Sequence, residues 1–201
     1  MTTRQKTVVA AIAVGAVAVV AWVALARWRE ARETARRDQL EYAARWELEH
    51  GQIEQAIDKL DALAKVDPVR RGLAGLRGRA LASSGKPTEA MRELVHAVVE
   101  REDAEAWEYT GVAQSQLGAL PEAKQALTKA VEIEPGRVSA WRRLGQLCLT
   151  SGDPTAAVEA YRQALRHAAG PAGRDEVRLE ATTLLEQAGR VDDARLFKEA
   201  P

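Results

Sequence analysis

The feature that most constrains the fold is a sequence period of about 34 residues. Four pairs of identical residues lie one period apart within residues 104–164: Trp107 and Trp141, Gly111 and Gly145, Ala123 and Ala157, Ala130 and Ala164. Units that begin at residues 37, 71, 104, 138 and 175 are spaced by 34, 33, 34 and 37 residues. A nearly constant period of this length predicts a repeat protein, in which each unit buries its apolar face against the next.

The residue types within each unit resemble those of the tetratricopeptide repeat (TPR). The match is fullest in the third and fourth units, which contain Trp107, Gly111, Ala123, Leu127, Ala130 and Pro135, then Trp141, Leu144, Gly145, Ala157, Tyr161 and Ala164. The second unit retains Gly78, Ala90, Leu94 and Ala97, the first Ala56, Leu60 and Pro68, and the last Ala194. The resemblance implies an all-α, right-handed solenoid of about five helix pairs, near 37–70, 71–103, 104–137, 138–174 and 175–201.

The resemblance also gives the repeated positions packing roles. Small residues let the two helices of a unit approach closely, and the bulky Trp107, Leu127, Trp141 and Tyr161 fill the gap between successive units. The turn segments 85–87, 118–121 and 152–154 each start with Gly and finish with Pro. We therefore expect a glycine to end the first helix and a proline to open the second, with Asp153 as an N-cap and Gly51 and Gly189 marking equivalent turns.

Composition supports a helical, non-nucleic-acid-binding chain. Strong helix formers dominate and aromatic residues make up only 4% of the sequence. The net charge of zero hides an asymmetry: residues 1–37 hold seven Lys or Arg against two Glu, and the remainder holds 22 basic against 27 acidic residues. An acidic body does not suit phosphate neutralisation. The single cysteine, Cys148, excludes an intramolecular disulfide.

The N-terminus predicts a membrane helix. Val8–Ala26 is 19 residues long and carries no charge, which is enough to cross a bilayer as a helix. We expect a basic N-tail (1–7), a transmembrane signal anchor (8–26) and a basic juxtamembrane helix (27–36) that runs without a linker into the repeats. A cleaved signal peptide is the alternative, because residues 24–26 read Ala-Leu-Ala; the long apolar run and the arginines after it favour the uncleaved anchor.

The flanking charges bear on orientation. Five arginines follow the apolar segment between residues 27 and 37, against Arg4 and Lys6 before it. The positive-inside rule then favours the repeats on the cytoplasmic rather than the periplasmic side. The Arg- and Ala-rich usage indicates a bacterial protein, so the prediction is a single-pass protein of the bacterial inner membrane.

No catalytic or metal-binding pattern emerges. His50, His96, His167 and Cys148 are far apart, without metal-ligand spacing. The glycines at 72, 75 and 78 do not have the spacing of a dinucleotide fingerprint and no strand precedes them; they are expected on one helix face. We find no nucleophile–base set, and predict neither an enzyme nor a cofactor.

The resemblance instead implies a partner groove along the first helices of the units. The residues at those positions are Tyr42, Arg45, Arg79, Glu108, Tyr109, Gln116, Arg142, Arg143 and Gln146, with Glu41, Leu76, Glu105, Val112 and Glu176 beside them. The clamp that grips chaperone carboxyl termini in some TPR proteins needs groove asparagines, and this sequence contains no Asn.

The predicted function is a membrane-anchored scaffold or adaptor that binds other proteins, with assembly of a membrane or envelope complex as one form of it. Two alternatives stay open: a structural oligomer in which the arrays self-assemble on the membrane, and a secreted TPR protein after signal cleavage.

Overall fold

The computed structural model describes the backbone of residues 3–100 and 103–198 and the side chains of residues 19–98 and 103–198. Within these residues the chain forms ten α-helices and no strands. In chain order they are α1 (Thr3–Glu49), α2 (Ile53–Val66), α3 (Leu73–Ser83), α4 (Pro87–Glu100), α5 (Ala104–Gln116), α6 (Leu120–Ile133), α7 (Val138–Thr150), α8 (Pro154–His167), α9 (Gly170–Gln187) and α10 (Val191–Lys198).

The helices pair in order into five units, each with a helix A (α1, α3, α5, α7, α9) and a helix B (α2, α4, α6, α8, α10). The two helices of a unit pack against each other, and each helix B also contacts the helix A that follows it. Helix A of one unit contacts helix A of the next from α3 to α9. The A helices therefore line the inner surface of the stack. The predicted all-α TPR solenoid is confirmed.

The turn between the helices of a unit has the same geometry in all five units. Gly51, Gly85, Gly118, Gly152 and Gly189 have φ between 72° and 78° and follow the end of helix A. In the fourth unit Gly152 N donates to Leu149 O at 3.1 Å, and Asp153 N donates to Cys148 O at 2.8 Å. These are the two hydrogen bonds of a Schellman motif, which satisfies the last carbonyls of the helix.

The starts of the B helices follow the predicted chemistry with one shift. Pro87 and Pro154 are the first residues of α4 and α8, where a missing N–H costs nothing. The Asp153 side chain accepts a hydrogen bond from Ala156 N at 3.1 Å, which makes it the N-cap of α8. Pro121 is the second residue of α6 rather than the first, because Leu120 already has helical geometry.

The core is a chain of apolar clusters that bridge consecutive units rather than fill single ones. Leu94 on α4 packs in one cluster with Tyr109 and Ala113 on α5. Leu127 on α6 shares another with Leu144 and Cys148 on α7, and Trp107 and Trp141 pack together around Ala130, Val131 and Ala140. Tyr161 joins α8 to the last unit. Each unit is therefore stabilised by its neighbours as well as by the packing of its own two helices.

Within a unit, a glycine of helix A receives a bulky side chain of helix B. A Cβ at Gly145 would lie 2.7 Å from the Tyr161 ring, and one at Gly111 would lie 2.6 Å from Leu127 Cγ. Gly78 faces Leu94 in the same way. These glycines bring the two helices close enough to bury Tyr161 and Leu127 almost completely.

One sequence expectation fails in the second unit. Gly72 does not share a helix face with Gly75 and Gly78, because it lies before α3 in the left-handed region, with φ of 83°. A Cβ at Gly75 would come no closer than 3.8 Å to Ala97 Cβ, which is ordinary contact. Only Gly78 of the three marks a close helix approach.

The helix α1 runs unbroken from Thr3 to Glu49, and its residues 37–49 form helix A of the first unit. All side chains from residue 19 to residue 36 are exposed. Among the described residues, no helix is both long and apolar enough to span a bilayer. The side chains of the predicted span Val8–Ala26 lie outside the described residues up to position 18, so the span stays a prediction.

Candidate functional site

The predicted partner residues lie on the A helices. Arg79 is on α3, Glu108, Tyr109 and Gln116 are on α5, and Arg142, Arg143 and Gln146 are on α7, while Tyr42 and Arg45 are on α1. The structure brings the α3, α5 and α7 members together on the inner surface. Tyr42 and Arg45 lie apart from them at the N-terminal end of the array.

Glu108, one of the predicted partner residues, is only 1% exposed. Arg137 Nε donates to its Oε2 at 2.5 Å, Ser139 Oγ donates to the same oxygen at 3.0 Å, and Arg143 Nε donates to Oε1 at 2.7 Å. All three donors belong to the loop before α7 or to α7 itself. Glu108 therefore joins the third unit to the fourth.

The carboxylates around Arg137 keep its guanidinium protonated. Burial on its own would lower the pKa of Arg137, but the hydrogen bond and the charge of Glu108 raise it above its usual range, with help from Glu105 and Glu134. Arg143 shares the Glu108 carboxylate with Arg137, which also pairs with Glu134 and Glu105. The Arg143 side chain is 37% exposed.

Tyr109 is covered by arginines from the units on either side. The guanidinium carbon of Arg79 lies 5.6 Å from the ring centroid and that of Arg143 lies 5.3 Å from it, both within the range of a cation–π contact. Arg79 Nη1 also donates to Glu105 Oε1 at 2.7 Å. Tyr109 is 8% exposed, so it is an interior residue of the groove wall rather than a contact surface.

Arg142 is also engaged within the chain. Its Nη1 donates to Glu176 Oε1 at 2.8 Å, and its guanidinium forms a second ion pair with Glu180. Both acids are on α9. Arg142 thus joins the fourth unit to the fifth, as Glu108 joins the third to the fourth.

A cavity remains on the inner surface between α5 and α7. Its volume is about 270 Å³, and it combines exposed amides, buried leucines and one charged side chain. The lining residues are Gly111, Val112, Ser115, Gln116, Leu127, Arg143, Gln146, Leu147 and Thr150. Gln116 Nε2 donates to Ala82 O at 3.0 Å, which fixes the position of its amide. Of the predicted groove residues, Val112, Gln116, Arg143 and Gln146 line this cavity together.

A cavity of similar size, about 310 Å³, lies between α2, α3 and α4. Arg77 crosses it and donates to Asp61 Oδ1 at 3.0 Å and to Glu93 Oε1 at 2.6 Å. Arg77 thereby joins α3 to α2 and α4 across this cavity, and none of the predicted partner residues lines it. The α5–α7 cavity is the better candidate for a ligand.

At the N-terminal end, Tyr42 is 73% exposed. Arg45 is exposed and donates to Glu41 Oε1 at 3.0 Å. The neighbouring Trp46 was not predicted; it is 44% exposed and stacks on His50 with the ring centroids 3.9 Å apart.

Arg137 was not predicted either. The signal for it was the repeated pairing of positions 5 and 34 of a unit, since Arg70 binds Glu41 in the first unit as Arg137 binds Glu108 in the third. Trp46 carries no comparable signal, because no other unit has an aromatic residue at its position, which holds Ala80, Ala113, Leu147 and Leu184.

Within the described ranges, no group of three or more His, Cys, Asp or Glu side chains could hold a metal ion. Cys148 is buried, and burial raises the pKa of its thiol. The arrangement therefore has the character of a binding surface: an apolar cavity floor, amides that can pair with a peptide backbone, and one partly exposed arginine.

Comparison with known proteins agrees with this architecture. A family model described as tetratricopeptide repeat matches residues 43–101 and 116–174, more than half of the chain. A TPR repeat-containing protein of Dictyostelium discoideum is 32% identical over 93 residues, which cover 44% of this chain and 35% of that protein. The chain thus spans about a third of the length of that curated relative.

Solved structures show the same fold at low identity. A thermophilic TPR protein of Thermus thermophilus is 17% identical, with a TM-score of 0.69 over 80% of this chain and 87% of the other. The pilF protein of Pseudomonas aeruginosa is 23% identical, with a TM-score of 0.64 over 82% of this chain and 74% of the other. The repeat period, the glycine turns and the family match lead to one conclusion: this chain belongs to the tetratricopeptide repeat family.

Proposed function

We propose that this chain is a scaffold that binds other proteins through its A-helix groove and is held at a membrane by the N-terminal part of α1. TPR proteins generally mediate protein–protein interactions, and the fold is generally non-enzymatic. The observation that carries the groove assignment is the α5–α7 cavity. It is the place where predicted partner residues converge and still reach solvent.

The cavity chemistry favours an extended peptide segment with an apolar side chain. Leu127 and Leu147 are 2% and 3% exposed and form an apolar floor. Gln116 and Gln146 are exposed beside it and carry both amide donors and amide acceptors, which can pair with a peptide backbone. Arg143 adds a positive charge that favours an acidic residue in the segment.

Site-specific photo-crosslinking tests the groove. A photoreactive amino acid placed at Gln146 or at Gln116 should capture the same protein in cells. The matched control is Gln55, an exposed glutamine on α2, away from the cavity. Groove binding is refuted if neither groove position captures a protein, or if Gln55 captures the same one with equal yield.

The membrane part of the proposal is supported by the 19 uncharged residues Val8–Ala26 and by the continuity of α1. An assembly factor for a membrane or envelope complex is the form we favour, in a bacterial inner membrane. The test is extraction of cell membranes with alkaline carbonate. The full chain should stay with the membranes and a chain without residues 1–26 should not; release of the full chain would refute the anchor.

The arginines after the apolar segment favour a cytoplasmic array. Protease added to spheroplasts should therefore leave the repeats intact until the membrane is opened with detergent. Digestion before opening would place the repeats on the other side.

Self-assembly is a second candidate, favoured by the N-terminal end of the array. Tyr42 occupies in the first unit the position of Tyr109 in the third, yet it is 73% exposed against 8%. Trp46 occupies the position of the buried Ala113. An aromatic pair thus lies where inner units contact the preceding unit. Light scattering of the detergent-solubilised chain should show a concentration-dependent assembly that Trp46→Ala weakens; a monomer at every concentration would exclude it.

A further inference from the structure

The part of α1 before the repeats has a surface unlike any other in the described chain. From residue 19 to residue 28 its large apolar side chains are exposed, with Trp22 71%, Val20 68% and Trp28 54% accessible. Arginines then follow at positions 27, 29, 32, 36 and 37. We call residues 19–36 the collar. Since all its described side chains face solvent, no other described part of the chain covers it.

The four collar arginines outnumber Glu30 and Glu33 on the same segment, and they lack the acidic partners that Arg137 and Arg142 have in the array. No ion pair joins Arg27, Arg29 or Arg36 to another described residue, and Arg32 lies over the Trp28 ring at 5.0 Å. By contrast, Arg142 in the array binds two glutamates. Uncompensated positive charge is therefore concentrated on one exposed helix.

Part of this charge lies on the same helix face as the apolar residues. Trp22, Leu25, Arg29, Arg32 and Arg36 are spaced by 3, 4, 3 and 4 residues, which places them in one row along α1. The row is apolar towards the N-terminus and basic towards the repeats. The change from one character to the other falls between Leu25 and Arg29.

We infer that the collar binds anionic lipid headgroups, with Trp22 and Trp28 at the lipid interface and Arg27, Arg29 and Arg32 against the phosphates. An anionic bilayer satisfies both halves of the row, since apolar residues meet its acyl region and arginines meet its surface. A second copy packed in register would bring arginine against arginine, and a nucleic acid would leave the apolar half uncovered. This inference rests on the proposed membrane association of α1.

The test uses the full chain reconstituted into liposomes of phosphatidylcholine and phosphatidylglycerol, with bromine on one lipid or the other at equal bromine content. Bromine quenches tryptophan fluorescence only at contact, so Trp22 and Trp28 report the lipid beside them, while the array tryptophans give a constant background. Brominated phosphatidylglycerol should quench more strongly than brominated phosphatidylcholine, and high salt should reduce the difference. The difference should be lost in Arg27→Gln/Arg29→Gln/Arg32→Gln.

The matched control is Arg162→Gln/Arg166→Gln/Arg174→Gln, which removes the same charge from exposed positions of the array and should keep the difference. Equal quenching by both lipids would overturn headgroup selection and leave the anchor intact. Selective quenching that survives in the collar variant would overturn the role of the arginines. No quenching by either lipid would overturn the membrane proposal itself.

Discussion

The same substitution, glycine to alanine, should have opposite effects at two helical positions of the array, one in the middle of α7 and one in the first turn of α3. At Gly145 on α7 the new Cβ would lie 2.7 Å from Tyr161 Cε2 and 2.9 Å from two further ring atoms. At Gly75 on α3 the nearest atom would be Ala97 Cβ at 3.8 Å. Both changes remove the same backbone freedom, so only the space beside the new methyl group differs.

The magnitudes follow from two terms. Alanine is favoured over glycine inside a helix by about 0.8–1 kcal/mol. Overpacking a filled core costs about 1–3 kcal/mol, and the upper part of that range applies at Gly145 because the Tyr161 ring has nowhere to move. Tyr161 is fully buried, and its ring lies edge-on to Phe197 with the centroids 6.3 Å apart. We expect Gly75→Ala to stabilise by about 0.8 kcal/mol and Gly145→Ala to destabilise by about 2 kcal/mol.

Urea unfolding of the full chain in detergent, followed by circular dichroism, measures both changes. The midpoint should rise for Gly75→Ala and fall for Gly145→Ala, with the slope of each transition unchanged. Gly145→Ala should lower the midpoint less in a Tyr161→Leu background than in the parent chain, since the smaller side chain makes room for the methyl group. A rise in both midpoints would show that helix propensity, rather than the approach of α8 to α7, decides stability at these positions.

Three further predictions concern buried or paired groups. Glu108→Ala should destabilise the chain by about 3 kcal/mol in the same urea assay, because it leaves Arg137 beside a buried site without its carboxylate; a loss below about 1 kcal/mol would contradict the junction role of Glu108. Cys148 should react with a thiol reagent far more slowly in the folded chain than in urea, because burial raises the pKa of its thiol and blocks access; equal rates would mean that α7 opens readily. Burial of Glu41 acts to raise its pKa, but hydrogen bonds from Arg70 and Arg45 lower it below the ordinary 4.5. Its contribution to stability is therefore complete above that pH and lost as the pH falls through the lowered value, so acid titration of Glu41→Gln should show a shallower loss than the parent chain.

The period of the sequence predicted the fold because the residues that set it act locally. Gly152 ends a helix and Pro154 begins the next whatever surrounds them, and Gly145 and Tyr161 are paired by their fixed separation within one unit. Such features need only the neighbouring turn or the facing helix. The turn glycine repeats in all five units and the close glycine contact in the middle three, which makes each one a check on the others.

The groove was harder to predict because its chemistry depends on contacts between units. Glu108 carries no local mark that separates it from a solvated glutamate, and its partners Arg137 and Arg143 lie 29 and 35 residues away. The repeat frame assigns residues to the A helices but does not say which of them neutralise one another. Of the predicted groove residues, Val112, Gln116, Arg143 and Gln146 line the cavity that remains.

The continuity of α1 from Thr3 to Glu49 has a geometric consequence for the groove. An α-helix advances about 1.5 Å and turns about 100° with each residue. The number of residues between the N-terminal segment and the first unit therefore fixes the angle about the α1 axis at which the groove opens. Insertion of one residue into the collar would rotate the whole array by about 100° about the α1 axis, whereas insertion of seven would return it to within about 20° of its original orientation. Any function that depends on this orientation should fall and recover with a period of about 3.6 inserted residues.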